Sequence, residues 1–266
     1  MPQVTAQSLR QLKQQGEKFV CVTAYDAGFA AVIGRAGVET ILVGDSLGMV
    51  VQGHRDTLPV TMDHMTYHIE AVSRGNADSL LLGDLPFMSY ANPEQTLHNA
   101  ARLMRAGAHM VKLEGGAWLC DSISQLTERG IPVCAHLGLT PQSVNTLGGF
   151  KVQGRSESAA SRIIDDAHQV EAAGASLLVL ECIPQQLAAT ITSQLSIPVI
   201  GIGAGPGTDA QVLVLHDLLG VTAAPPRFVK NFMAGQDSIE NAIRAFSNAV
   251  KSGEFPGDEH SFDFEY

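Results

Sequence analysis

Residues 41–61 read Ile41-Leu42-Val43-Gly44-Asp45-Ser46-Leu47-Gly48-Met49-Val50-Val51-Gln52-Gly53-His54-Arg55-Asp56-Thr57-Leu58-Pro59-Val60-Thr61. A short apolar run ends in Gly44-Asp45-Ser46, and a glycine-broken loop with no hydrophobic period follows. Such a run reads as a parallel strand buried on both faces. Asp45 then stands where the strand meets solvent. In α/β folds that rim is where ligands bind.

The same pattern recurs along the chain. Apolar runs fall at 19–23, 40–44, 79–83, 108–113, 131–135, 176–180, 197–202 and 211–215. Mostly helical stretches separate them. Gly37, Gly107, Gly130 and Gly174 mark helix stops, and Thr61 and Asn92-Pro93 mark helix starts. Eight runs alternating with helices predict an α/β fold, a (β/α)8 TIM barrel in one domain. The competing architecture is a doubly wound sheet, which the lack of a nucleotide fingerprint disfavours. A short helix from Ser8 to Gln15 precedes the barrel, and a last helix covers 237–250. The acidic, aromatic tail, 253–266, reads as irregular or draped over the surface.

Bulk properties agree. The 266 residues match the ~250 that such a barrel commonly needs. A net charge of −10 argues against nucleic acid or an anionic membrane as partner. Charged residues make up 17% and hydrophobic ones 45%, which suits a large core and subunit interfaces. The four cysteines, 21, 120, 134 and 182, form no CxxC pair. They read as reduced thiols of a cytoplasmic protein. No stretch has the pattern of a signal peptide or the length of a membrane span.

The strand ends carry Asp45, Asp84, Glu114, His136, Glu181 and Asp217. Three successive strands, the second to fourth, end in carboxylates. Neighbouring strands lie about 4.8 Å apart, so Asp45, Asp84 and Glu114 could converge on one cation. Hard oxygen ligands favour Mg²⁺ over Zn²⁺. Alternatively each acid caps a helix or bonds a loop amide. Lys112, two residues before Glu114, shares its face of the strand. It would hold a substrate carboxylate, offset the acids, or snorkel outward. The apolar approach Leu177-Leu178-Val179-Leu180 would desolvate Glu181, as suits a general base; a salt bridge at a helix terminus is the alternative. His136 reads as either a site residue or a structural histidine. Gly201-Ile202-Gly203-Ala204-Gly205 would cradle a phosphate or simply admit close backbone packing. It lacks the context of a dinucleotide site. The eight other histidines show no metal-ligand spacing.

Taken together, the motifs resemble the ketopantoate hydroxymethyltransferase family. The likeness is carried by Thr23-Ala24-Tyr25-Asp26, Val43-Gly44-Asp45-Ser46-Leu47-Gly48, Gln52-Gly53-His54, Thr57-Leu58-Pro59-Val60-Thr61 and Asp84-Leu85-Pro86-Phe87-Met88. It continues through Val111-Lys112-Leu113-Glu114-Gly115-Gly116, the stretch from His136 to Ser143, Lys151-Val152-Gln153-Gly154-Arg155, Leu180-Glu181-Cys182 and the stretch from Ile197 to Gly205. It spans about residues 19–262.

The resemblance implies a cytoplasmic, Mg²⁺-dependent barrel enzyme of pantothenate biosynthesis. A one-carbon unit from 5,10-methylenetetrahydrofolate would join 3-methyl-2-oxobutanoate to give 2-dehydropantoate. It also implies a homodecamer of two stacked pentamers. Asp45, Asp84 and Glu114 match metal positions, Ser46 and Lys112 match positions that hold the keto acid, and Glu181 matches the proton acceptor. The expected site is therefore Glu181 as base, with Asp45, Ser46, Asp84, Lys112 and His136 around the substrate. In the implied mechanism the metal polarises the chelating keto acid and stabilises its enolate, which attacks the folate-derived methylene carbon. The loop 138–155 would cover the site.

Two stretches depart from the family pattern. Pro206-Gly207-Thr208-Asp209-Ala210-Gln211 stands for an expected Asn-x-Thr-Asp-Gly-Gln, and Ala223-Ala224-Pro225-Pro226 for a Gly-Gly-His segment. They bear on folate or loop detail rather than on the acids. The competing functions are a Mg²⁺-dependent 2-keto acid lyase of the phosphoenolpyruvate mutase and isocitrate lyase type, and a non-enzymatic assembly module. No cysteine lies in the 46–61 loop, which counts against isocitrate cleavage. A module would need none of the acids.

Overall fold

A computed structural model describes residues 3–264. Helix α1 (Ala6–Gln15) is closed by a capping box at Thr5 and by left-handed Gly16. The repeat then begins with β1 (Phe19–Thr23) and α2 (Ala27–Arg35). Strand β2 (Thr40–Val43) leads through a one-turn helix, α3 (Leu47–Val50), to α4 (Met62–Gly75). Next come β3 (Leu80–Asp84), α5 (Pro93–Ala106), β4 (Met110–Glu114) and α6 (Cys120–Glu128). Strand β5 (Val133–Gly138) is followed by the short α7 (Val144–Leu147) and the long α8 (Glu157–Ala172). The chain ends with β6 (Leu177–Glu181), α9 (Gln185–Gln194), β7 (Val199–Ile202), β8 (Ala210–Leu213), α10 (Leu215–Leu218) and α11 (Ile239–Ser252).

All eight strands are parallel, each pairs with the next, and β8 pairs with β1 to close a barrel. Apart from the site residues near their C-terminal ends, the strands are mainly apolar because closure buries one face in the barrel and the other under helices. Every residue of β1, for instance, is buried. The caps follow from the sequence: Thr61 accepts from the His64 backbone N–H, and Asn92 accepts from Gln95 ahead of Pro93.

The end of β8 and the packing of the tail differ from the sequence expectation. No regular helix joins β7 to β8. Asp209 ties this connection down instead, accepting from the Val199 backbone N–H at 2.8 Å and from Lys13 at 2.8 Å. Strand β8 stops at Leu213, so Asp217 lies within α10 rather than at a strand end. The tail is irregular but not merely draped. Phe255 is buried against Phe232 and Phe246 in an edge-to-face cluster, with ring centroids 5.2 to 5.9 Å apart. The last two residues of the predicted tail, 265 and 266, lie outside the described residues. No helix among the described residues is long and apolar enough to cross a membrane.

Helix packing sets one sharp constraint. A Cβ at Gly75, the last residue of α4, would collide with the backbone carbonyl of Ala27 at the start of α2. Backbone cannot swing aside as a flexible side chain can. Gly75→Ala should therefore destabilise the protein by about 1–3 kcal/mol, the cost of overpacking, measured by urea denaturation. An unchanged midpoint would contradict this packing.

Candidate active site

The register of the barrel assembles the site. Asp84 at the end of β3 pairs with Lys112 on β4, and Glu114 pairs with His136 on β5. Glu181 ends β6 beside Gly138. Because alternate residues share a face, Lys112 and Glu114 both point into the barrel mouth.

Asp45, Asp84 and Glu114 bring one carboxylate oxygen each within 4.8 Å of the others, and all three are buried. Lys112 donates to both oxygens of Asp84, at 2.9 and 2.8 Å, and stands 3.4 Å from Glu114 Oε1. The Asp45 backbone N–H donates to Asp84 at 3.3 Å. His136 lies between two acids, with Nδ1 3.5 Å from Glu114 and Nε2 3.3 Å from Glu181. Neither contact has hydrogen-bond geometry, so the attraction is electrostatic. Glu181 is not sealed off as its apolar strand suggested: 15% of its side chain is exposed, toward the cavity.

Burial and charge act against each other here. Burial pushes the Asp45 carboxyl well above the usual carboxylate range, and Asp84 and Glu114 add to the effect. Burial raises Asp84 too, against the pull of Lys112. At Glu114 burial also pushes upward, but Lys112 and His136 prevail and hold it below the usual value. Lys112 keeps its proton well above the ordinary lysine range: burial opposes the charge, and Asp84, Glu114 and Asp45 outweigh burial. Burial and Lys112 likewise oppose a charge on His136, yet Glu114 and Glu181 raise it to about 9.

Lys112 and a protonated His136 are two cations among four carboxyl groups, Asp45, Asp84, Glu114 and Glu181, so the barrel mouth holds more acids than bases. A divalent cation would offset this excess, and an all-oxygen donor set within 4.8 Å suits a hard ion such as Mg²⁺. The acids present therefore fit a metal. An ion drawing on Asp84 would share that carboxylate with Lys112. Breaking a buried pair from one side is costly, so Lys112→Met should destabilise the metal-free protein by about 3–5 kcal/mol. Urea denaturation in chelator measures this, and stability equal to wild type would contradict the electrostatic picture.

These residues open into one cavity of about 520 Å³. Its base holds the acids, Lys112, His136 and Ser46, and its outer wall includes Phe150, Val152, Phe228 and Phe262. Ser46 Oγ is 2.9 Å from the Tyr25 hydroxyl. Asp217 reaches the cavity from the β8 side and accepts a hydrogen bond from Thr222.

The comparisons with known proteins bear on this cavity's chemistry. A family model described as ketopantoate hydroxymethyltransferase matches residues 3–258. The chain belongs to that family. It is 61% identical over 259 residues to a 3-methyl-2-oxobutanoate hydroxymethyltransferase of Saccharophagus degradans, covering 97% of this chain and 96% of that one. It is 60% identical over 264 residues to the protein of that name from Pseudomonas fluorescens, covering 98% and 99%. As a member of the ketopantoate hydroxymethyltransferase family the chain is an enzyme, a one-carbon transferase. Among solved structures, 2,3-dimethylmalate lyase, a member of the phosphoenolpyruvate mutase and isocitrate lyase superfamily, superposes with a TM-score of 0.58. It is 18% identical and covers 94% of this chain and 98% of that one, a likeness of fold.

Gln142, to which the sequence alone assigns no role, bonds the acid cluster from outside the main cavity and is itself bonded by Tyr90; both line a smaller neighbouring pocket. Gln142 donates through Nε2 to Asp45 at 2.9 Å and through its backbone N–H to Glu114 at 3.0 Å. A buried glutamine in a polar loop gives no periodic signal, so only the fold locates it. The glycines at 201–205 admit close packing. A Cβ at Gly203 would meet Phe228 and Cys182, and one at Gly205 would meet Gln185. Of the two departures from the family pattern, 206–211 sits where Asp209 anchors the start of β7, away from the acids. The other lies at the site, since Ala224 and Pro226 line the cavity.

Proposed function

We propose that this transferase moves a hydroxymethyl unit from 5,10-methylenetetrahydrofolate to 3-methyl-2-oxobutanoate, giving 2-dehydropantoate for pantothenate and coenzyme A synthesis. The observation that carries the reading is one cavity joining the Asp45, Asp84 and Glu114 cluster to Glu181 through His136. Asp45, Asp84 and Glu114 would hold Mg²⁺, which when bound supplies Lewis-acid polarisation of the keto group.

The residues divide the remaining work. Lys112 and Ser46 hold the keto acid carboxylate at the base of the cavity. Glu181 takes the proton from C3, and its exposure toward the cavity leaves it free to reach substrate. His136, 3.3 Å away, would hold the Glu181 carboxylate electrostatically. One methylene–nitrogen bond of the donor opens to an iminium, and the enolate carbon bonds to its methylene carbon. The second methylene–nitrogen bond then breaks as water supplies the hydroxyl; the C3 proton and one proton of that water end on the two nitrogens. The apolar outer wall, with Phe150, Phe228 and Phe262, would take the donor's ring system and exclude bulk water. A homodecamer and a cytoplasmic location belong to the same reading and rest on the family resemblance.

The test is product formation. With keto acid, 5,10-methylenetetrahydrofolate and Mg²⁺, mass spectrometry should find 2-dehydropantoate, and a chelator should abolish it. Keto acid that binds yet gives no product with donor and metal present would overturn the assignment.

A further inference from the structure

We infer that Gln142 is a positioning residue that fixes Asp45 and Glu114 in ion-binding geometry, with Tyr90 as its buttress. The inference rests on the metal reading of the acid cluster and goes beyond it.

Gln142 lies in the turn after β5, on none of the strands that carry the acids. Pro141 opens this 3-10 turn, and Ser143 N–H closes it on the Thr140 carbonyl at 2.8 Å. The turn points the backbone N–H and the side chain of Gln142 into the barrel mouth together. The N–H takes Glu114 Oε2 at 3.0 Å, and Nε2 takes Asp45 Oδ2 at 2.9 Å. One residue thus bridges the ends of β2 and β4 across Asp84.

The amide has no freedom to flip. Its nitrogen faces two groups that only accept, Asp45 Oδ2 and the Leu85 carbonyl at 3.0 Å. Its oxygen accepts from the Tyr90 hydroxyl. Gln142 is buried with both amide hydrogens and its oxygen in use. Tyr90 is buried in turn and stacks on Trp118, with ring centroids 6.0 Å apart and planes 16° from parallel.

The consequence is geometric and electrostatic. Each acid gives one oxygen to Gln142; of the remaining oxygens, Glu114 Oε1 lies 3.4 Å from Lys112, so an ion would have to share it with the ammonium. Donation from the Gln142 amide also complements the charge of the Asp45 carboxylate that would face a cation. Hydrogen-bond partners of ligating carboxylates typically matter 10- to 100-fold for metal affinity.

The test is Mn²⁺ binding by isothermal titration to wild type, Asp84→Asn, Gln142→Met and Tyr90→Phe, with melting temperatures in chelator. Gln142→Met keeps length and removes the amide. It should weaken Mn²⁺ about 10- to 100-fold. Tyr90→Phe leaves the amide in place without its buttress and should weaken Mn²⁺ by roughly 2- to 10-fold, the worth of one hydrogen bond. If Gln142→Met does not fold, Tyr90→Phe decides. A lowered melting temperature with Mn²⁺ affinity within about twofold of wild type would make both residues merely structural and overturn the inference. Wild type that binds no Mn²⁺, or Asp84→Asn that binds it equally well, would instead overturn the metal reading beneath it.

Discussion

Glu181→Gln is expected to bind 3-methyl-2-oxobutanoate normally and to lose C3 proton exchange by about 10²- to 10⁴-fold, the usual contribution of a general base. The substitution keeps the side chain's shape and its place at the end of β6. The amide oxygen still faces His136 Nε2, now 3.3 Å from the carboxylate, so His136 and the acid cluster stay in position. What disappears is the carboxylate that would accept the C3 proton. Lys112 and Ser46, the proposed carboxylate holders, lie elsewhere in the cavity, so substrate affinity should change little. Loss of binding and exchange together would mean that Glu181 holds the substrate instead. Unchanged exchange would remove it as the base.

Asp84→Asn should weaken divalent-ion binding by about 100-fold or more, beyond what loss of a ligand's hydrogen-bond partner usually costs. Asp84 is the central acid, on β3 between the strands that lead to Asp45 and Glu114. It also carries the two shortest bonds of Lys112. An asparagine there removes a negative charge from the ion and a counter-charge from the ammonium at once. The released Lys112 would then sit among ligands with fewer carboxylates to satisfy it, which opposes a second cation further. Titration with Mg²⁺ or Mn²⁺ measures the effect, and wild-type affinity would sink the metal assignment.

How much was legible in the sequence varied with the kind of signal. Apolar runs mark strands because a closed barrel leaves no strand face in water, so β1 to β7 were found within about a turn. The end of β8 was misplaced: Val214 and Leu215 continue the apolar run although the backbone has already turned into α10. The anchoring of the β7–β8 connection has no local signal either, because Lys13, the partner of Asp209, lies 196 residues away. Strand-end acids were readable one by one, since each closes its own run. Their separation was not, because it depends on register, and register is a property of the closed sheet. Lys112 was readable as facing Glu114, and its direct bonds to Asp84 emerged only from the β3–β4 pairing. Gln142 and Tyr90 were silent for a related reason: their partners lie 97 and 52 residues away, respectively. Phe262 joined the cavity because the backbone of Gln185 holds the tail by donating to the Phe262 carbonyl at 2.8 Å.

The most direct test of the central claim is proton NMR of 3-methyl-2-oxobutanoate in D₂O with the protein, with and without Mg²⁺. The C3 proton signal should disappear only when protein and metal are both present, which is what a base at Glu181 facing a metal-polarised keto acid requires. A C3 proton that persists in the presence of bound metal and bound keto acid would contradict the account.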